Sequence, residues 1–274
     1  MDTLLPSAHR QKIEEQIQPL LLQPPIEPLR IKLDEQIYIV KFTRRESGRL
    51  WRESMSTLAC WLLFRVAVRP NAFRTGDIRY EAQRLRDLHA LQLPVPQLLM
   101  EGPNYIVMQY CGEPVEPKLR TAEGRAEFFP RIIDSLLQLH EKDQWHGGAQ
   151  ARNLTIQNDQ IYRIDFEEKT GDVLPLALAQ VFDLFLCFNS ITKYLDFDVE
   201  QGERLLTRYL QGRREPAIHD KLQKVLRVAL RLRKVFDLLG SRFKSHSDIR
   251  RTLYFTAVLE RSLERSKIDI GMMP

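Results

Sequence analysis

The sequence predicts an α+β chain of two lobes, a small strand-containing one followed by a larger helical one. Three observations carry this expectation. Short alternating apolar runs bounded by turn residues are concentrated before Gly112. Stretches with apolar residues three and four apart dominate after it. A single hairpin-like segment, residues 154–164, interrupts the helical part. Strands repeat a face every two residues and helices about every 3.6, so the two patterns separate cleanly. At 274 residues and 43% hydrophobic content, the chain can bury a substantial core.

Residues 1–29 read as an extension, with a helix over 11–22 closed by the proline-rich QPPIEP. LRIKLDEQIYIVKF, residues 29–42, gives two alternating runs around Asp34-Glu35, a hairpin whose second strand ends at Lys41. Residues 51–68 are amphipathic and helical in character, and 78–91 form another helix with Leu85 and Leu88 on its apolar side. LPVPQLL then breaks the helix at Pro94 and Pro96. Residues 97–100 and 105–109 form a second hairpin around Gly102-Pro103-Asn104.

Gly112 marks the boundary between a lobe at 30–112 and one at 113–274. In the second lobe Phe128, Phe129, Ile132, Ile133, Leu136, Leu137 and His140 share one helical face. Residues 154–156 and 161–164 flank Asn158-Asp159, a dipeptide that tolerates the left-handed backbone of a two-residue turn. That register sets Asn153 opposite Ile164 and brings Asp165 to the open end of the hairpin. Residues 174–188 are apolar nearly all round and form a central buried helix; Asp183 within it reads either as buried and therefore paired, since an unpaired buried carboxylate is expensive, or as a partly exposed helix residue. Basic amphipathic helices over 221–239 and 249–263 complete the lobe.

Composition excludes several classes. Cys60, Cys111 and Cys187 lie far apart with no CxxC pair, which suggests neither a zinc site nor a disulfide framework and fits a reducing cytoplasm. The N-terminus lacks the basic start and apolar stretch of a secretory signal. The longest uncharged apolar stretch, residues 58–64, falls far below the roughly 20 residues of a spanning helix. Net charge is +5, with one basic cluster at Arg44, Arg45, Arg49 and Arg52 and a dense run over 204–267. These read either as an anionic-partner surface or as solvated helix faces. No interleaved aromatic platform accompanies them, so nucleic acid is not the expected partner.

The order of the polar residues is more specific: Lys41 at a strand end, Glu81 on a helix, then Met108-Gln109-Tyr110-Cys111-Gly112, His146 through Asn153, and Asp165. Over residues 31–188 this order resembles the protein-kinase-like superfamily, nearest to small atypical bacterial kinases such as the lipopolysaccharide-core (Kdo) kinases, the Bud32-like kinases and the aminoglycoside and choline phosphotransferases. The resemblance implies a two-lobed kinase-like fold, ATP and Mg²⁺ as cofactors, and transfer of the γ-phosphoryl group to a hydroxyl of a glycan, lipid-linked sugar or protein.

It also implies roles. Lys41 would neutralise the α- and β-phosphates, held by Glu81, with Glu53 as the alternative partner. Met108 would line an adenine pocket whose edge meets backbone groups of Gln109 to Cys111. Asn153 and Asp165 would hold the metal. His146, Arg152, Asn153 and Asp165 would make up the catalytic loop and its metal-binding neighbour.

Two departures from the family pattern stand out. Where a catalytic Asp is expected the chain has Gly148, within His146-Gly147-Gly148-Ala149-Gln150-Ala151-Arg152-Asn153, and Glu167, Asp143 or His146 are the candidates to replace it. The first hairpin contains no glycine to cover phosphates, which leaves Lys32 to take over or phosphate binding weak. The two readings are therefore an atypical kinase and a pseudokinase that binds nucleotide or a protein partner. Peripheral contact of LACWLLFRVAVRP, residues 58–70, with the inner membrane face, or a core helix there, are both open.

Overall fold

The structure, a computed structural model, describes residues 4–43, 77–213, 215–238 and 247–271. The expected helix over 51–68, the apolar stretch 58–64, the arginines from 44 to 52, Glu53 and Cys60 lie outside the described residues.

Over the described residues the chain is α+β, with two small antiparallel sheets set among helices. The first sheet comprises β1 (Leu29–Leu33), β2 (Gln36–Phe42), β3 (Leu98–Glu101) and β4 (Tyr105–Gln109), in the order β1-β2-β4-β3. β1 and β2 form the expected hairpin, Leu33 facing Gln36 across a turn in which Asp34 takes φ +53°. Alternation along β2 divides its side chains between two layers. Tyr38, Val40 and Phe42 pack with Ile13 and Ile17 of α1 (Ser7–Ile17), whereas Ile39 joins Ile106 and Met108 against α2 (Ile78–Ala90). Lys41 shares the face of Ile39 and is therefore directed at α2.

α1 begins and ends earlier than the expected 11–22. Gln18–Leu20 is a single 3-10 turn containing Pro19, whose ring and missing N–H stop an α-helix there. α2 opens on Asp77, whose carboxylate accepts the Tyr80 N–H, and it buries Ile78, Ala82, Leu85 and Leu88 along one stripe.

The second sheet, β5-β6-β7, pairs β6 (Leu154–Gln157) with β7 (Gln160–Arg163) in the predicted register: Leu154 faces Arg163, and the Ile164 N–H donates to the Asn153 carbonyl at 3.0 Å. Asn158 and Asp159 both take the left-handed conformation, φ +48° and +61°. β5 (Glu113–Pro114) adds a third strand that the sequence did not announce, because two residues with a proline carry no alternation.

A helical core surrounds this sheet. α3 (Ala122–Glu141) and the apolar α5 (Leu176–Ile191), preceded by the short α4 (Thr170–Val173), pack with α6 (Val199–Gly212), α7 (Pro216–Leu238) and α8 (Ser247–Gly271). No helix among the described residues is long and apolar enough to cross a membrane.

Candidate functional site

Three segments far apart in sequence meet at Lys41. Its ammonium donates to both Glu81 carboxylate oxygens at 2.8 Å and to Asp165 Oδ1 at 2.5 Å. Glu81 is 2% exposed and Lys41 9%, so the ion pair between β2 and α2 is buried. Burial alone would depress the ammonium, but the adjacent Glu81 and Asp165 charges outweigh it and hold Lys41 above the ordinary lysine value. Glu167 lies in the same place: one carboxylate oxygen each from Glu81, Asp165 and Glu167 fall within 4.8 Å of one another, a set able to hold a cation.

The segment entering this site is fixed from below. Asp183, on the buried face of α5, accepts the N–H of His146 at 2.6 Å and that of Gly147 at 2.7 Å. Its predicted pairing is thus to backbone, as the cost of an unpaired buried charge requires. His140 joins the same group, its Nδ1 against the Tyr209 hydroxyl at 2.6 Å and its Nε2 3.4 Å from Asp183. From above, Arg84 on α2 donates to the Trp145 carbonyl at 2.9 Å and to Gln144, with its guanidinium 4.0 Å from the indole ring. The helix carrying Glu81 and the loop carrying His146 therefore share one clamp.

His146 is 1% exposed and stacks on Phe166 with ring centroids 4.3 Å apart. Its Nδ1 accepts the Gly148 N–H at 3.2 Å, which assigns the ring proton to Nε2, a buried atom with no partner. Burial, assisted by the Arg163 charge, pushes its pKa down to about 4. The ring is neutral at pH 7 and serves as a packing and hydrogen-bonding element.

Asn153 is brought to the same loop, its Nδ2 donating to the Gly148 carbonyl at 2.8 Å. The amide oxygen remains as the atom a metal would take. Asp165 takes φ +72°, a left-handed conformation unusual outside glycine, at the end of β7. Gly148 adopts no such conformation, and a Cβ built on it would meet Asn153 Nδ2 at 3.3 Å and Glu168 Cγ at 3.7 Å. The contact of Glu168 with this loop is one that sequence reasoning passed over.

The remaining expected residues are placed as follows. Met108 is 5% exposed and packs with Leu139 and Phe166. The Gln109 N–H is committed to the Gln97 carbonyl at 2.9 Å, so the expected set of backbone groups narrows to the Gln109 carbonyl and those beyond it. Cys111 is buried, its thiol pushed up to about 12 by burial, and approaches the Gln109 carbonyl at 3.7 Å. Arg152 is exposed on the 3-10 turn before β6, where its charge helps to lower the Glu116 pKa. Asp143 is exposed and bound to Arg213, in a different place from the Lys41 cluster. In the basic run, Arg204, Arg208, Arg213, Arg261 and Arg265 each face a carboxylate.

No protein-family model matches the chain, and no curated protein matches it.

Proposed function

We propose that the chain is an ATP-dependent phosphotransferase of two-lobed, protein-kinase-like architecture, with lobes at 30–112 and 113–274 and residues 1–29 as an extension. What supports this is one observation: the Lys41 ammonium is held between Glu81, 40 residues away on α2, and Asp165, 124 residues away beyond β7. A lysine so fixed keeps its charge and would neutralise the α- and β-phosphates. Asp165 with the Asn153 amide oxygen would hold Mg²⁺, which takes a few hard oxygen ligands and leaves the others to phosphate. Bound MgATP would supply the transferable phosphoryl group. Asp183 holds the loop that would receive the acceptor hydroxyl, and the net charge of +5 favours an anionic acceptor such as a glycan or lipid-linked sugar over a neutral one.

A second reading, a pseudokinase that binds nucleotide or a protein partner, is favoured by two features. Position 148 has no carboxylate, and the β1–β2 turn has no glycine, its Asp34 instead meeting His9 of α1 at 2.9 Å.

Thermal unfolding of wild type and Asp165→Asn, with and without ATP and Mg²⁺, tests the shared premise. Ligand at 100 times its dissociation constant adds about 2.7 kcal/mol, a shift of several degrees for a chain of this size. A metal-dependent shift lost in Asp165→Asn is the expected result; no shift in wild type removes nucleotide from both readings. Transfer to a panel of hydroxyl acceptors then separates kinase from pseudokinase.

A further inference from the structure

A cavity of about 480 Å³ opens at one end of the first sheet, between the β1–β2 turn, Gln109-Tyr110 at the end of β4, and residues 4–6. Sites for small molecules usually measure roughly 300–1,000 Å³. It lies apart from the Lys41 group: Tyr38, on its wall, pairs with Gln109, whereas Lys41 pairs with Ile106, three residues or about 10 Å further along the ladder. Backbone bonds fix its walls. The Gln109 N–H donates to the Gln97 carbonyl at 2.9 Å, and the Leu4 N–H to the Leu99 carbonyl at 3.2 Å, which seats Leu4 and Leu5 against β3 as an apolar side.

Four glutamines from four segments line it: Gln36 at the start of β2, Gln97 before β3, Gln109 at the end of β4 and Gln157 at the end of β6. Their carboxamides are largely unspent. Gln97 and Gln157 make no side-chain hydrogen bond among the described residues. Gln109 uses only its oxygen, on the Gln97 N–H at 3.4 Å, and Gln36 only its oxygen, which accepts from the Tyr38 hydroxyl. The NH₂ groups of all four and the oxygens of Gln97 and Gln157 are therefore open to a ligand.

The lining selects by charge and by hydrogen-bond type. Among the described residues no lysine, arginine or histidine lines the cavity, and Glu35 is its one carboxylate, so nothing there balances a phosphate or another anion. A carboxamide both donates and accepts, as a hydroxyl does. Amides arriving from four segments thus match a neutral molecule that carries hydroxyls all round, while Leu5, Ile37 and Leu99 match its C–H faces. We infer that this cavity binds a neutral saccharide, held by hydrogen bonds between its hydroxyls and the carboxamides of Gln36, Gln97, Gln109 and Gln157. This is a site separate from Lys41, Asn153 and Asp165, and it does not depend on the phosphotransferase reading.

The test titrates the full chain with maltose, cellobiose and lactose, and separately with triglycine, while NMR follows the side-chain NH₂ signals of the glutamines. A saturable shift of the signals of Gln36, Gln97, Gln109 and Gln157 with at least one of the sugars, and none with triglycine, is the expected result. Gln97→Leu and Gln157→Leu are each expected to weaken that binding about fivefold to tenfold, the worth of a lost hydrogen bond. Neither variant breaks a hydrogen bond within the chain, so the unfolding temperature of each should stay near that of wild type. No saturable shift with any of the sugars overturns the assignment. Sugar binding that neither variant weakens overturns it too, since the sugar would then sit elsewhere. Shifts produced by triglycine in place of the sugars overturn it in favour of a site for peptide backbone.

Discussion

The Gly147 backbone lies against the Glu168 side chain: no side-chain carbon fits on Gly147, since it would stand 2.5 Å from Glu168 Cβ. Its φ of +85° adds a conformational penalty of about 1–2 kcal/mol for any L side chain. Gly148, its neighbour, has no positive φ, and the nearest atom to a Cβ there is the end of a side chain, Asn153 Nδ2 at 3.3 Å, which has to give by only a few tenths of an ångström. Gly147→Ala should therefore destabilise the fold by about 2 kcal/mol or more, and Gly148→Ala by less than about 1 kcal/mol. Urea midpoints of the two variants side by side check this; equal losses would mean that the contact between the loop and residue 168 is not as described.

The same loop is held from beneath by Asp183. Its two oxygens accept two adjacent backbone N–H groups at 2.6 and 2.7 Å in a fully buried setting. Asp183→Asn replaces one acceptor oxygen by a donor and leaves one N–H without a partner. The expected loss is about 3 kcal/mol, from charge-assisted hydrogen bonds and an unsatisfied buried donor. Hydrogen exchange should accelerate over residues 146–153 more than over α7, because the bonds lost belong to that loop.

Much of this was legible in the sequence, where local chemistry dictates local geometry. Asn158-Asp159 tolerates two successive left-handed residues, and that fixed the β6–β7 register and the Asn153–Ile164 pairing. Asp183 amid apolar residues announced a buried, paired carboxylate. Lys41 and Glu81 could be joined only through the order of motifs, since no local rule links residues 40 apart. The contact of Glu168 with the loop left no pattern, because it depends on tertiary approach at Gly147. β5 was missed for a similar reason: Glu113 and Pro114 are extended only because β6 offers them a ladder. Nor were the bounds of the helix Val199–Gly212 drawn within the expected helical run, although Asp198 caps it by accepting from the Glu200 and Gln201 N–H groups.

His146 gives the fold an acid-sensitive element. Its pKa falls from an ordinary 6.5 to about 4 on folding, so between those values the unfolded chain binds the proton and the native one does not. Stability from this group is fully present above pH 6.5 and declines as pH falls toward 4, by up to roughly 3 kcal/mol. Buried His140, lowered by burial as well, acts in the same direction. Denaturant unfolding at pH 5 and pH 7 should show the drop, and His146→Phe should flatten it in part, leaving the share of His140. An unchanged slope in that variant would place the ring in contact with water.

The Lys41–Glu81 pair is a stability element before it is anything else. Removing either partner leaves a charge in a buried place, which costs about 3–5 kcal/mol in comparable pairs. Lys41→Met has the further effect of leaving Glu81 and Asp165 facing each other without the ammonium that both now contact. Glu81→Leu leaves Lys41 with Asp165 alone, a half-satisfied but still charged arrangement. The double variant Lys41→Met/Glu81→Leu removes both buried charges together, and it should lose less than the sum of the singles by about 1–3 kcal/mol. A double-mutant cycle on denaturant midpoints measures that coupling. Strict additivity would mean that the two side chains do not meet in solution, and the arrangement on which the nucleotide reading stands would go with it.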